Sequence, residues 1–156
     1  MTILFVQTGG TIDKGYPMTS DDSNGYYFEI GEPSFLRTIE RANPDFSYRM
    51  TTAARKDSLD LTDEDRTTIK HIAETAKEDR IVITHGTDTI HITAKELSDI
   101  KGKTIVLTGS RLPEKFYDSE ADFNLGMAIA GAQVLPHGIY IALFGLLTPW
   151  DKFSNK

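Results

Sequence analysis

Two short segments of this sequence carry hydroxyls in a setting that suits chemistry: Thr8-Gly9-Gly10-Thr11-Ile12 and Thr84-His85-Gly86-Thr87-Asp88-Thr89. A threonine hydroxyl is a weak nucleophile near neutral pH and acts only beside a base or within a strong hydrogen-bond network. The glycines let the backbone turn sharply and bring main-chain N–H groups close to a reacting centre. Turns at Gly10 and Gly86 would therefore stabilise a developing oxyanion. In the second segment Thr87 and Asp88 offer a hydroxyl and a carboxylate in one turn, with His85 beside them. His85 reads either as a general base or as a residue that orders a tight turn. Asp88 reads either as a reacting group or as a helix cap. The first segment has two other readings: an ordinary βα turn, or a phosphate-binding turn that lacks both GxGxxG spacing and a Walker lysine. His71, His91 and His137 share no metal-ligand spacing with His85, so neither a metal nor a cofactor is expected.

The elements that must position these residues are legible from hydrophobic patterning. Apolar, β-rich runs occur at Thr2–Gln7, Phe46–Thr52, Arg80–Thr84, Lys103–Thr108 and Gly138–Phe144. Three of them, ILFVQ, RIVIT and TIVLT, are continuous rather than alternating, as expected for strands covered on both faces. Helical spacing lies between them. Pro33 suits a first turn, and Phe35, Leu36 and Ile39 share one face of a helix reaching about Ala42. Thr62 precedes Asp63, Glu64 and Asp65, which reads as an N-cap with acids in the first turn, followed by Ile69, Ile72 and Ala73. A third helix is expected from near Asp88 through Ile92 and Leu97, and a fourth over Ala121–Val134.

The resulting βαβαβαβαβ order predicts an α/β fold: a three-layer α/β/α sandwich around a mainly parallel, doubly wound, flavodoxin- or Rossmann-like sheet of about five strands. In such folds ligands bind beyond the carboxyl ends of the strands, where these loops emerge. Residues 13–32 are long and irregular enough to read as a lid. Residues 147–156 read as a tail.

Composition bounds the rest. The chain has 156 residues and a mass of 17.4 kDa, enough for one domain and too little for two. A net charge of −6 and a pI near 5.2 argue against a nucleic-acid partner. No apolar run approaches the roughly 20 residues of a membrane span. The N-terminus lacks the basic region of a signal peptide, and there is no cysteine, so the cytoplasm is the expected compartment.

TGGTI and VITHGTDT, each after a strand, resemble the two signature motifs of the bacterial-type L-asparaginases and glutaminases. KDSLDLTDED (56–65), LTGSRLP (107–113) and FNLGMAIAGA (123–132) resemble further stretches of that family, in matching order. The resemblance spans nearly the whole chain and implies one N-terminal-like domain over residues 1–156. It implies hydrolysis of the side-chain amide of asparagine, glutamine or a related small amide, with release of ammonia. Thr11 matches the nucleophile, Thr87 the second catalytic threonine, and Asp88 the acid that accompanies it and binds the substrate's α-amino group. Ser58 matches the serine on the substrate's α-carboxylate. Gly10, Gly86 and Ser110 fall in the substrate-binding turns. A lid tyrosine assists the nucleophile in the family; Tyr26 and Tyr27 both fit, with Tyr27 assigned to catalysis and Tyr26 to substrate binding.

Two positions depart from the pattern. The family's catalytic lysine after the fifth strand has Lys152 and Lys156 as candidates, of which Lys156 is preferred. Leu59 occupies a place that many members give to a polar substrate-binding residue. Family enzymes are about twice as long, and a second domain from a neighbouring subunit completes their site, so a homo-oligomer, dimer or higher, is expected. The alternative is an amino-acid-binding or regulatory module that retains the pocket and turns substrate over weakly or not at all.

Overall fold

The computed structural model describes residues 1–16 and 28–154. Its strands are β1 (Thr2–Gly9), β2 (Lys14–Gly15), β3 (Glu29–Ile30), β4 (Ser47–Lys56), β5 (Arg80–Thr84), β6 (Thr104–Thr108), β7 (Gly138–Leu143) and β8 (Leu146–Pro149). The α-helices are α1 (Phe35–Ala42), α2 (Asp63–Thr75), α3 (Ile90–Glu96) and α4 (Ala121–Val134). Six strands form one sheet in the order β4-β1-β5-β6-β7-β8, with all pairings parallel except β7–β8. β2 and β3 pair separately as a short antiparallel ribbon.

Alternation along each strand divides the core into two layers, because successive side chains point to opposite faces. On one face Leu4, Val6, Ile81, Ile83, Ile105 and Leu107 pack against α2 and α3 through Ile69, Ala73, Ile90, Ala94 and Leu97. On the other, Ile3, Phe5, Val82 and Val106 meet α1 and α4 through Phe35, Ile39, Leu125, Ala128 and Ala132. The rings of Phe5 and Phe35 stack with centroids 4.8 Å apart, fixing α1 over β1. β5 and β6 are covered on both sides, and their continuous apolar sequences follow from that.

Local chemistry sets the element ends. Thr62 caps α2 in a capping box, its hydroxyl accepting the Asp65 N–H while the Asp65 carboxylate accepts the Thr62 N–H. Asn43 closes α1 in the left-handed region at φ 43°, and its N–H reaches the Ile39 carbonyl.

Three boundaries differ from the expectations. The second long strand runs to Lys56, past Thr52, because Gly9 pairs with Lys56 after a bulge. The third helix starts at Ile90, and Thr89 before it is bonded outside the helix, to Ser58 and Arg66. Leu146–Pro149, read in part as tail, form β8 after a two-residue turn with Phe144 at φ 56° and Gly145 at φ 76°. A hairpin turn with two positive φ values normally shows Asn or Gly at its first position. Phe144 hides that signal.

The order β4-β1-β5 contains the topological switch point. The chain leaves β1 in one direction to build β4 and returns across β1 to build β5, so a crevice opens between the loops that follow β1 and β5. TGGTI and HGTDT are those two loops.

Candidate active site

Gly9 and Gly10 end β1 at φ 107° and 85°. Gly10 combines φ 85° with ψ 180°, a conformation that is in practice open only to glycine. A Cβ at Gly10 would lie 2.4 Å from the Gly86 nitrogen, so the backbones of the two threonine loops are in direct contact. A Cβ at Gly86 would lie 2.8 Å from both Cβ and Oγ of Ser58, and one at Gly109 would lie 2.2 Å from the His85 carbonyl oxygen. Four loops therefore stack backbone on backbone. The structure brings together Gly10, Gly86 and Ser58, with Thr11 one residue from the Gly10 contact and Thr87 one residue from the Gly86 contact. The Thr87 methyl lies 3.6 Å from the Cβ position at Gly109.

Hydrogen bonds lock the loops to the sheet. Gly10 N–H donates to the Lys56 carbonyl at 3.0 Å, His85 N–H to the Thr108 carbonyl at 2.8 Å, and Glu114 N–H to the Ile12 carbonyl at 3.1 Å. The threonine that precedes each turn helps: Thr8 Oγ1 donates to the Thr84 carbonyl and Thr108 Oγ1 to the Ala142 carbonyl, both at 2.8 Å. Asn124, within FNLGMAIAGA, donates from Nδ2 to the Gly109 carbonyl at 2.9 Å. The family-like helix thus holds the turn after β6 in place.

Thr11 and Thr87 are half-buried and Asp88 is exposed, so these polar groups border solvent where a small ligand can reach them. Ser58 is buried, and its Oγ accepts the Thr89 N–H at 3.3 Å. Ser110 is also buried and gives its hydroxyl proton to the Leu112 carbonyl, which orders the turn after β6. Lys152 is exposed on a 3-10 turn spanning Trp150–Lys152. Tyr26, Tyr27 and Lys156 lie outside the described residues, as does most of the segment expected to be a lid.

His85 resolves its two readings. It is fully buried, with Nδ1 2.7 Å from the Gly86 carbonyl oxygen and Nε2 2.7 Å from Thr93 Oγ1. Burial pushes its pKa down to about 4, against the raising effect of the Gly86 carbonyl and with a smaller lowering from Arg66, so the ring is neutral at neutral pH. A carbonyl only accepts, so Nδ1 carries the proton and Nε2 accepts from the Thr93 hydroxyl. Both ring nitrogens are occupied. The ring orders the loop.

Two polar networks escape a reading by motif. Arg66 is 7% exposed and donates from Nε to Thr93 Oγ1 at 3.2 Å, from Nη1 to the Leu61 carbonyl at 2.8 Å and from Nη2 to Thr89 Oγ1 at 3.1 Å. Its sequence signal is position: Arg66, Ile69 and Ala73 form the buried stripe of α2, and an arginine there needs a polar partner beneath the helix. Asp13 is buried as well, and its carboxylate accepts the N–H and hydroxyl of Ser34 at 2.8 and 2.7 Å and the Gln7 amide at 3.0 Å. Burial pushes the Asp13 carboxyl above its ordinary range, against those bonds. Gln7 also donates to the Gly31 carbonyl and accepts from Thr52, so β1, β4, Gly31 and the start of α1 share one knot.

Comparison with known proteins agrees with this geometry. The family model "Asparaginase, N-terminal" matches residues 2–147. The chain is 39% identical over 148 residues to L-asparaginase 1 of Escherichia coli K12, covering 86% of this chain and 41% of that protein. It is 34% identical over 161 residues to L-asparaginase of Thermococcus kodakarensis, covering 99% of this chain and 48% of that protein. The solved structure of the thermostable L-asparaginase from Thermococcus kodakarensis superposes with a TM-score of 0.80 at 29% identity, over 96% of this chain and 46% of that one. The chain thus spans less than half the length of these relatives. With the loops, the helix behind them and the strand order all in agreement, the chain belongs to the asparaginase family, within its N-terminal domain.

Proposed function

We propose that this chain is an asparaginase-like amidohydrolase that cleaves the side-chain amide of asparagine, glutamine or a related small amide. Thr11 Oγ1 attacks the amide carbon, and the tetrahedral oxyanion takes hydrogen bonds from backbone N–H groups of the two glycine turns, other than that of Gly10, which the Lys56 carbonyl holds. Expulsion of ammonia leaves an ester on Thr11. Water then attacks that ester, releasing the carboxylic acid product and restoring the hydroxyl. Thr87 and Asp88 serve the proton transfers and hold the α-amino group, with Lys156 as their cationic companion and Tyr27 beside Thr11. Ser58 holds the α-carboxylate, with Tyr26 and Ser110 in the same pocket. The protein acts as a homo-oligomer in the cytoplasm, and a neighbouring copy closes the site.

One observation carries this reading. The two threonine loops touch through Gly10 and Gly86 at the switch point of the sheet, with Ser58 packed against the same glycine. A phosphate-binding turn would need no second hydroxyl loop at that contact.

The test is ammonia release from asparagine and from glutamine, run beside the melting temperature in L-aspartate. Turnover above a buffer control supports the enzyme. A melting temperature raised by aspartate without turnover supports an amino-acid-binding module. Light scattering tests the assembly: a mass of 17.4 kDa in the presence of substrate contradicts a shared site.

A further inference from the structure

The bonds around Arg66 form a closed ring. One arm runs from Arg66 Nε–H to Thr93 Oγ1, from the Thr93 hydroxyl to His85 Nε2, and from His85 Nδ1–H to the Gly86 carbonyl. The other runs from Arg66 Nη2–H to Thr89 Oγ1, and from the Thr89 hydroxyl to the Ser58 carbonyl at 2.7 Å. Gly86 and Ser58 are themselves in contact, which closes the ring. The third donor, Nη1, holds the Leu61 carbonyl just past the Ser58 turn.

The charge within this ring is poorly compensated. Every hydrogen-bond acceptor of the guanidinium is neutral. Among the described residues the carboxylate nearest to pairing with it is Asp63, whose Oδ1 is 3.9 Å from Nη1 on a side chain fully open to water. A cation buried among neutral acceptors is costly unless an anion approaches it. The ring ends at Ser58, which is 2% exposed and whose Oγ accepts the Thr89 N–H, so its own O–H is left to give to a ligand. Leu59 beside it is 73% exposed and offers no donor.

Resting on the amidohydrolase reading above, we propose that Arg66 is a positioning and specificity residue. It fixes the Ser58 turn against the HGTDT loop and supplies the positive field that selects ligands with a free carboxylate at Ser58. It reaches the ligand through Thr89 and Ser58 and does not touch it. A carboxylate at the Ser58 hydroxyl completes the charge balance that the protein leaves open.

The decisive comparison is asparagine against asparaginamide, which carries an α-carboxamide in place of the free α-carboxylate and is followed by its side-chain product isoasparagine, in wild type, Arg66→Met and Arg66→Lys. Aspartate binding is measured on the same proteins by calorimetry. Loss of charge-assisted hydrogen bonding around a binding group predicts about a tenfold or greater rise in KM for asparagine in Arg66→Met, with kcat changing less. The preference for asparagine over asparaginamide should shrink, and Arg66→Lys should recover part of it. An unchanged preference in a folded Arg66→Met overturns the assignment, even if both proteins release ammonia. Weaker aspartate binding in Arg66→Met, in a preparation without turnover, sustains the assignment and rejects the hydrolase. No aspartate binding by wild type rejects the assignment. If Arg66→Met does not fold, Thr89→Val cuts the same relay and should show the same loss, with Thr89→Ser restoring it.

Discussion

At the scale of single residues, the site depends on places where a side chain cannot be. Gly10 holds a backbone conformation closed to other residues, and a Cβ there would meet the Gly86 nitrogen at 2.4 Å. Gly10→Ala therefore combines backbone strain of roughly 1–3 kcal/mol with a backbone clash that must push the two threonine loops apart. Denaturant unfolding should show that loss, and ammonia release should fall far more than the remaining folded fraction explains. Gly126 gives the contrast. Its Cβ would meet nothing within 4 Å, so Gly126→Ala in the middle of α4 should be neutral or stabilising by up to about 1 kcal/mol. His85 adds a residue-scale prediction in pH. Its folded pKa of about 4 lies below the ordinary 6.5, so the unfolded chain binds its proton first as pH falls. The stability it supports is complete above 6.5 and is lost on the way down to 4, by about 3 kcal/mol. Asp13, raised by burial, titrates with the opposite sign. The ring is therefore isolated by comparing wild type with His85→Gln in denaturant titrations at neutral and acid pH: the variant should lose the steeper acid slope.

At the scale of elements, helix α2 does two jobs. Its capping box sets where the helix begins, and its buried face carries Arg66 to the Ser58 and HGTDT turns. Thr62→Ala removes the cap and should cost about 1 kcal/mol in thermal or denaturant unfolding. KM should stay close to wild type, because α2 remains packed through Ile69 and Ala73 and so keeps Arg66 in place. A large KM change in Thr62→Ala would mean that the helix start, and not Arg66, positions Ser58. The elements also show how far sequence reading reaches. The buried strands were legible because burial on both faces leaves continuous apolar runs, and Thr62 was legible because a cap is local chemistry. Arg66 and Asp13 were not legible in that way, since their partners lie on other elements and nothing near them in sequence names those partners. Strand β8 was missed for a related reason: Phe144 takes a positive φ where the local code asks for Asn or Gly.

At the scale of the whole molecule, the fold brings the two threonine loops to one crevice. Strand order does this: β1 and β5 are neighbours although Phe5 and its β5 partner Val82 lie 77 positions apart in sequence, so the contact between Gly10 and Gly86 is a property of topology. The motifs and their family were readable from residue types alone, whereas their contact through glycine backbones was not. The chain spans less than half the length of its relatives, which makes the activity of this domain the central question. The most direct measurement is ammonia release from asparagine by wild type, Thr11→Ala and Thr87→Ala, each shown to be folded by circular dichroism. A single hydrolytic site built from both loops predicts losses of at least about a hundredfold in each variant, since groups that act as a unit fail together. Wild-type rates in either folded variant would contradict it.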